Sequence, residues 1–235
     1  MLRTFRYGEA DRILHLYTPH AGRVGAIAKG VRRTRSRFGG RLEPFFRLSI
    51  ELYEGRGELF TVTGASTIDA HPRLREHAGA IDAAARACDA VGRLFETADP
   101  HPHVFNLLCR HLRLLNEQPV EAGRARSLAF RMKLLHAAGF APALAACAHC
   151  GDARHLSGFS AAAGGVVCRT CEAGSFPIGA EAHRFMADAL ASPLLRAPSA
   201  SGAALGEVER AIAEMLAHHA QVRLIPAAAA GTIER

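Results

Sequence analysis

The period of the hydrophobic pattern changes once along this chain, near residue 70, and that change restricts the fold more than any other feature. Before it, apolar residues recur at every second position, as in Phe46-Arg47-Leu48-Ser49-Ile50-Glu51-Leu52-Tyr53, which suits a half-buried strand. Leu2 to Tyr7, Arg12 to Tyr17, Val24 to Ala28 and Leu59 to Thr63 read as four more strands, separated by Thr18-Pro19-His20-Ala21-Gly22 and Glu54-Gly55-Arg56-Gly57. About five short strands with no helix between them predict a small antiparallel barrel, the closure that leaves fewest open edges. After residue 78 the spacing becomes three and four. Ile81, Ala84, Cys88, Val91 and Phe95 form one stripe, and Val104, Leu107, Leu108, His111, Leu112 and Leu115 form a second. Leu128, Met132 and Leu135, then Phe185, Met186, Ala189 and Leu190, then Leu205, Val208, Ile212, Met215 and Leu216 predict three further helices. The expected class is α+β, with a strand domain at 1–70 and a helical domain at 71–235. The tail from Pro226 to Arg235 has no periodicity and is left unassigned.

Into the helical half is inserted Cys147-Ala148-His149-Cys150, then 17 residues, then Cys168-Arg169-Thr170-Cys171. Two such turns can place four thiolates at the corners of a tetrahedron, the geometry of closed structural zinc sites. Gly151, Gly158, Gly164 and Gly165 let the intervening segment return as a ribbon, giving a module at about 144–176. Four protein ligands leave no position for water, so one Zn²⁺ ion held by Cys147, Cys150, Cys168 and Cys171 stabilises rather than catalyses. A redox dithiol needs only one pair, and an iron–sulfur cluster can also use four cysteines. Cys88 and Cys109 fall on apolar helix faces and read as buried thiols.

Charge is concentrated elsewhere. The chain carries 29 basic and 22 acidic residues, but residues 1–63 alone hold 12 basic and six acidic ones. Most of that surplus lies in Lys29-Gly30-Val31-Arg32-Arg33-Thr34-Arg35-Ser36-Arg37-Phe38-Gly39-Gly40-Arg41, with six positive charges and no acid. Such a loop between strands is expected to stay out of the core and to be either solvated or in contact with an anion. Lys29, Arg32, Arg33, Arg35, Arg37 and Arg41 would contact phosphates, with Phe38 as a platform on which a base stacks. Phe45, Phe46, Tyr53 and Phe60 are further aromatic candidates. A weaker basic feature is Arg110, Arg113, Arg124, Arg126, Arg131 and Lys133, set against only Glu117 and Glu121 on two helices. It reads as a solvated face, or alternatively as a groove for an acidic peptide or for more nucleic acid.

Enzyme signatures are absent from the sequence. Neither Lys29 nor Lys133, the only lysines, follows a glycine, so there is no phosphate-binding Gly-Lys-Ser/Thr loop. There is no His-Glu-x-x-His, no Gly-x-Ser-x-Gly elbow and no acidic cluster of the two-metal kind. No stretch approaches the roughly 20 apolar residues of a spanning helix, and no signal peptide is visible, so a cytoplasmic location is expected.

Leu2-Arg3-Thr4-Phe5-Arg6-Tyr7-Gly8-Glu9-Ala10-Asp11, Tyr17-Thr18-Pro19-His20-Ala21-Gly22, Ala28-Lys29-Gly30-Val31-Arg32 and Ser36-Arg37-Phe38-Gly39-Gly40-Arg41-Leu42-Glu43-Pro44-Phe45 resemble the N-terminal region of the bacterial RecO family of recombination mediators. The resemblance continues through helices, four-cysteine insertion and helical end. It implies an OB-fold barrel followed by a helical domain that carries the zinc module. It also implies a non-catalytic DNA repair protein that binds single- and double-stranded DNA and anneals complementary strands. Expected partners are RecR and the acidic C-terminal tail of single-strand DNA-binding protein, with an indirect link to RecA loading and a nucleoid location. The chain opens within what looks like the family's first strand, so either the start codon is placed downstream or the barrel has a shortened edge strand. Two readings from other classes stand beside this one: a zinc-ribbon nucleic-acid-processing enzyme and a zinc-containing transcription regulator.

Overall fold

The computed structural model describes residues 1–227, so the end of the unassigned tail lies outside the described residues. The chain divides into two compact units, Met1–Pro119 and Val120–Arg235. The division therefore falls well after the change of period, because two helices belong with the strands.

In the first unit, β1 (Arg3–Tyr7), β2 (Asp11–Thr18), β3 (Gly22–Ala28), β4 (Arg47–Tyr53) and β5 (Phe60–Asp69) form one sheet in the order β1-β2-β3-β5-β4. Alternation explains its inner face: Leu14 and Leu16 of β2 and Val24, Ala26 and Ala28 of β3 are buried, while the residues between them lie outside. The expected closed antiparallel barrel does not form. β3 joins β5 in parallel, through only Ala26↔Phe60 and Ile27↔Thr61, and β1 and β4 remain the two edges. The seam between them is bridged at Met1, whose carbonyl accepts from the Phe45 N–H at 3.0 Å and whose amino group donates to the Phe46 carbonyl at 2.7 Å. β5 also runs six residues beyond the expected Thr63, held to β4 through two register shifts.

The basic segment between β3 and β4 is the main departure. Val31, Phe38 and Leu42 enter the sheet core beside Leu14, Ala26 and Val62. Phe38 is 1% exposed, so it is a core anchor and not a base-stacking platform. A loop between strands was expected to contribute nothing to the core, but spaced apolar residues can sink inward while their charged neighbours remain in water.

Helices α1 (Ala78–Leu94) and α2 (Pro102–Glu117) complete this unit. The buried face of α1 runs through Ala80, Ala83, Ala84, Ala87, Cys88 and Val91, which leaves Ile81 exposed. Alanines carry no period in a scan for large apolar residues, so the stripe is rotated from its expected position. Burial pushes the Cys88 thiol up to about 12, in keeping with an inert core cysteine.

His71 sits at the end of β5 in a left-handed backbone conformation and is almost fully buried. Its Nε2 lies 3.5 Å from Asp69, but burial outweighs this carboxylate and holds the imidazole below its ordinary value of about 6.5. The neutral form is thus favoured on folding. The unfolded chain takes up the proton first, so this contribution to stability is present above about pH 6.5 and is lost as pH falls toward the folded value. The melting temperature of His71→Asn, a side chain that tolerates the same backbone, should fall less between pH 7 and pH 5 than that of the natural protein. Equal pH slopes in thermal denaturation would remove His71 as a source.

In the second unit, α3 (Arg124–Ala137) packs against α4 (Ala180–Ala191) and α5 (Gly202–Met215). Leu128, Phe130, Met132, Leu134 and Leu135 bury around most of the circumference of α3, which makes it the central helix. Ser201 caps α5 by accepting the Ala204 N–H at 3.3 Å. Between α3 and α4 lies a three-stranded sheet of β6 (Leu156–Ser160), β7 (Gly165–Cys168) and β8 (Phe176–Pro177), ordered β7-β6-β8.

Candidate nucleic-acid interface and metal centre

The basic segment is a chain of turns fastened at both ends. Its start is tied to the β1–β2 turn: Asp11 accepts the Gly30 N–H at 2.7 Å, and Ala10 accepts the Arg32 N–H at 2.9 Å. The Arg32 guanidinium also donates to the Glu9 carbonyl at 3.1 Å. The turn that allows this requires a left-handed residue, supplied by Gly8. Further along, Arg33 accepts from Ser36, Ser36 from Gly39, and Phe38 from Arg41 through their backbones. Arg37 donates to the Val62 carbonyl at 3.2 Å and covers the Phe38 ring, its carbon 4.8 Å from the centroid.

This framework leaves Lys29, Arg32, Arg33, Arg35, Arg37 and Arg41 all exposed. None of the six has a carboxylate within ion-pair range among the described residues. Their charge is therefore available to a polyanion. Of the other aromatic candidates, Tyr53 is exposed, whereas Phe45, Phe46 and Phe60 are half-buried. The sequence reading overlooked Phe5 and Tyr7 of β1, which are 44% and 54% exposed. Their alternation with Thr4 and Arg6 was the available signal, since it places both on the outer face of an edge strand.

The second basic group is divided between the two compact units. Arg110 and Arg113 are exposed on α2. The other four bond within the second unit. Arg124 meets Glu209 of α5 at 2.7 Å, and Arg131, 5% exposed, meets the same carboxylate at 3.4 Å. Arg131 also donates to the Ile225 carbonyl, Arg126 to Glu121, and Lys133 to the Leu190 carbonyl at 3.1 Å. Glu209 lies 78 residues from Arg131 in sequence, so counting local acids could not reveal it. These four side chains hold α3 to its neighbours instead of lining an open groove.

Cys147, Cys150, Cys168 and Cys171 bring their sulfurs within 4.8 Å of one another. Cys150 and Cys168 are 3.7 Å apart, far longer than a disulfide bond of about 2.05 Å. A Zn²⁺ ion with bonds of about 2.3 Å to a tetrahedron of thiolates spaces the sulfurs by about 3.8 Å, so the donor set fits one such ion. Local folding explains the convergence. The Ala148 N–H donates to the Val166 carbonyl at 2.8 Å, which lays the first knuckle beside β7, and Gly151 closes that knuckle with a left-handed backbone. Gly165 has no side chain because a Cβ there would lie 2.2 Å from the Ala143 carbonyl oxygen. Backbone N–H groups, chiefly that of Cys150, point at Cys147 and lower its thiol to about 6, whereas burial and the neighbouring thiols push Cys171 up to about 12.

Comparison with known proteins covers nearly the whole chain. Residues 1–71 match the family model "Recombination protein O N terminal", and residues 78–224 match "Recombination protein O C terminal". The chain belongs to the RecO family. A DNA repair protein RecO from Rubrobacter xylanophilus is 41% identical over 226 residues, covering 93% of this chain and 89% of its own length. A RecO from Thermobifida fusca is 38% identical over 218 residues, covering 89% and 85%, and one from Geobacter sulfurreducens is 36% identical over 191 residues, covering 79% and 76%. Membership in RecO places the basic loop and the four-cysteine cluster within a DNA repair protein. Among the described residues no helix is long and apolar enough to cross a membrane.

Proposed function

We propose that the protein is a non-catalytic recombination mediator that binds single- and double-stranded DNA and anneals complementary strands. The observation that carries this reading is the pinned loop with its six exposed cations and no facing carboxylate. Two strands approaching each other repel through their phosphates. Cations held at the surface lower that repulsion and raise the local concentration of both strands, so complementary bases meet without nucleotide hydrolysis. The bases carry the sequence information, and the protein reads only the backbone.

The four-cysteine cluster supports one structural Zn²⁺ held by Cys147, Cys150, Cys168 and Cys171, which supplies stability and no open coordination position. Family membership supports RecR and the acidic tail of single-strand DNA-binding protein as partners, with RecA loading downstream and the nucleoid as the site of action. The test is annealing of complementary oligonucleotides coated with single-strand-binding protein, either intact or lacking its last residues. Annealing of bare strands should be equal in both series, and annealing of coated strands should fall several-fold without the tail. Tail-independent annealing of coated strands would overturn the partner assignment, and absence of annealing on bare DNA would overturn the activity.

A further inference from the structure

At the end of β1 away from the basic loop, a polar cleft is lined by Leu2, Arg3, His15, Arg23, Arg93 and Glu96, with Gly92 at its floor. Three guanidiniums converge there, and each is oriented by a neighbour. Asp89 accepts from Arg3 at 2.5 Å and from Nε of Arg93 at 2.7 Å, so one carboxylate aims two arginines. Arg23 donates to the Gly92 carbonyl at 3.1 Å, offsetting the negative end of α1, and its other terminal nitrogen meets His15 Nδ1 at 3.3 Å. Because arginine can only donate, His15 Nδ1 accepts, and the proton of the neutral ring sits on Nε2. Burial first, then Arg23 and Arg3, hold His15 below its ordinary pKa, in keeping with that neutral form.

The acids facing the cleft are Asp89, used by two arginines, and Glu96, which is largely exposed and 3.8 Å from Arg23. The count leaves one uncompensated positive charge and several unused N–H donors set in a planar fork, the arrangement that suits a phosphate. An aromatic surface adjoins it. The Arg3 guanidinium lies 5.9 Å from the Phe5 centroid, and Phe5 meets His15 edge-on at 5.1 Å. Tyr7 follows two residues on, on the same face and next to Asp11, which anchors the basic loop. From Arg3 to Tyr7 the strand covers about 13 Å.

We propose that this cleft is a second phosphate-binding site, which seats a backbone phosphate of a single strand while the adjoining base lies on Phe5. The strand then runs along β1 over Tyr7 toward the basic loop. The cleft directs the path by fixing one end of the strand, while the loop supplies most of the charge. This proposal rests on the DNA-binding reading above.

The test uses the full chain and an oligothymidylate of about 15 nucleotides, within the usual site size of a single-strand-binding module. Arg3→Gln leaves Arg93 on Asp89, so the fold should persist, as the melting temperature checks. It should lower the magnitude of the salt slope by about 0.7, the share of one phosphate, and weaken binding about fivefold. Phe5→Ala should weaken binding of the oligothymidylate about tenfold and leave an abasic strand of the same length unaffected. Folded Arg3→Gln and Phe5→Ala proteins that bind as the natural protein does, with an unchanged slope, overturn the site and leave DNA binding at the loop intact. A natural protein that does not bind the oligothymidylate at all overturns the underlying reading. Independently, inorganic phosphate should move the His15 ring resonances in the natural protein and not in Arg3→Gln, and their stillness would also overturn the site. Thymidine monophosphate that moves these resonances when the oligothymidylate does not would overturn the assignment to a strand.

Discussion

Replacing Arg32, Arg33, Arg35 and Arg37 together by alanine should reduce affinity for a single strand on the order of 500-fold at 0.1 M salt and abolish annealing. The magnitude follows from counterion release. Each phosphate neutralised on a single strand contributes about 0.7 to the salt slope, so six cations give a slope of about −4 and the remaining two about −1.4. The four lost contacts correspond to nearly three decades at 0.1 M. The variant should remain folded, because the loop is anchored by Val31, Phe38 and Leu42 and by the Gly30 and Arg32 backbones, none of which the alanines remove. A modest loss of stability is expected from the Arg37 bond to Val62 and the Arg32 bond to Glu9. Fluorescence anisotropy across a salt series measures both affinity and slope. An unchanged slope in a folded variant would falsify the assignment of the loop.

The second large effect concerns the metal. One buried cluster of the four-cysteine module consists of Cys147, Val167 and Cys168, so two of its three members belong to the candidate ligand set, while Phe159, Val166 and Phe176 of the same ribbon are buried outside it. The two cysteine turns themselves have so small an apolar cluster that a bound ion would be expected to order them. Structural zinc in small modules has an apparent binding free energy of about 10–16 kcal/mol near neutral pH, far more than the burial of Val167 contributes. Chelation of the metal, or Cys168→Ser, should therefore unfold the two cysteine turns, loosen β6 and β7 and destabilise the second unit, with the melting transition of the first unit unchanged. Amide exchange of β6 and β7 before and after chelation reads this directly. Strands that stay protected without metal would show that the cysteines pack as ordinary thiols.

Which features were legible in the amino-acid order follows from the range of the interactions involved. Strands β2 and β3 were legible because each has its own alternation, and the cysteine turns because ligand spacing is local. The junction of β3 with β5 was not, since parallel pairing of Ala26 with Phe60 joins segments more than 30 residues apart and leaves no period in either. Phe38 misled for a related reason. In a run of arginines and glycines it resembles an interleaved aromatic, and only the packing of Leu14, Ala26 and Val62 around it reveals an anchor. Arg124 and Arg131 read as surface charge until Glu209 arrives from a distant helix. The basic loop was visible as charge density, whereas the cleft at Arg3, Arg23 and Arg93 collects single arginines from three elements and has no local signature.

The fastening of the loop to the Gly8–Asp11 turn has a kinetic consequence. A disordered basic tail must condense around each strand it captures, and the time and entropy of that search limit its productive encounters. On the proposed reading the cations are already arrayed when DNA arrives, so capture would be a collision with a charged plate. Ionic strength should act mainly on the association rate, and two strands can alight in succession without the protein refolding between them.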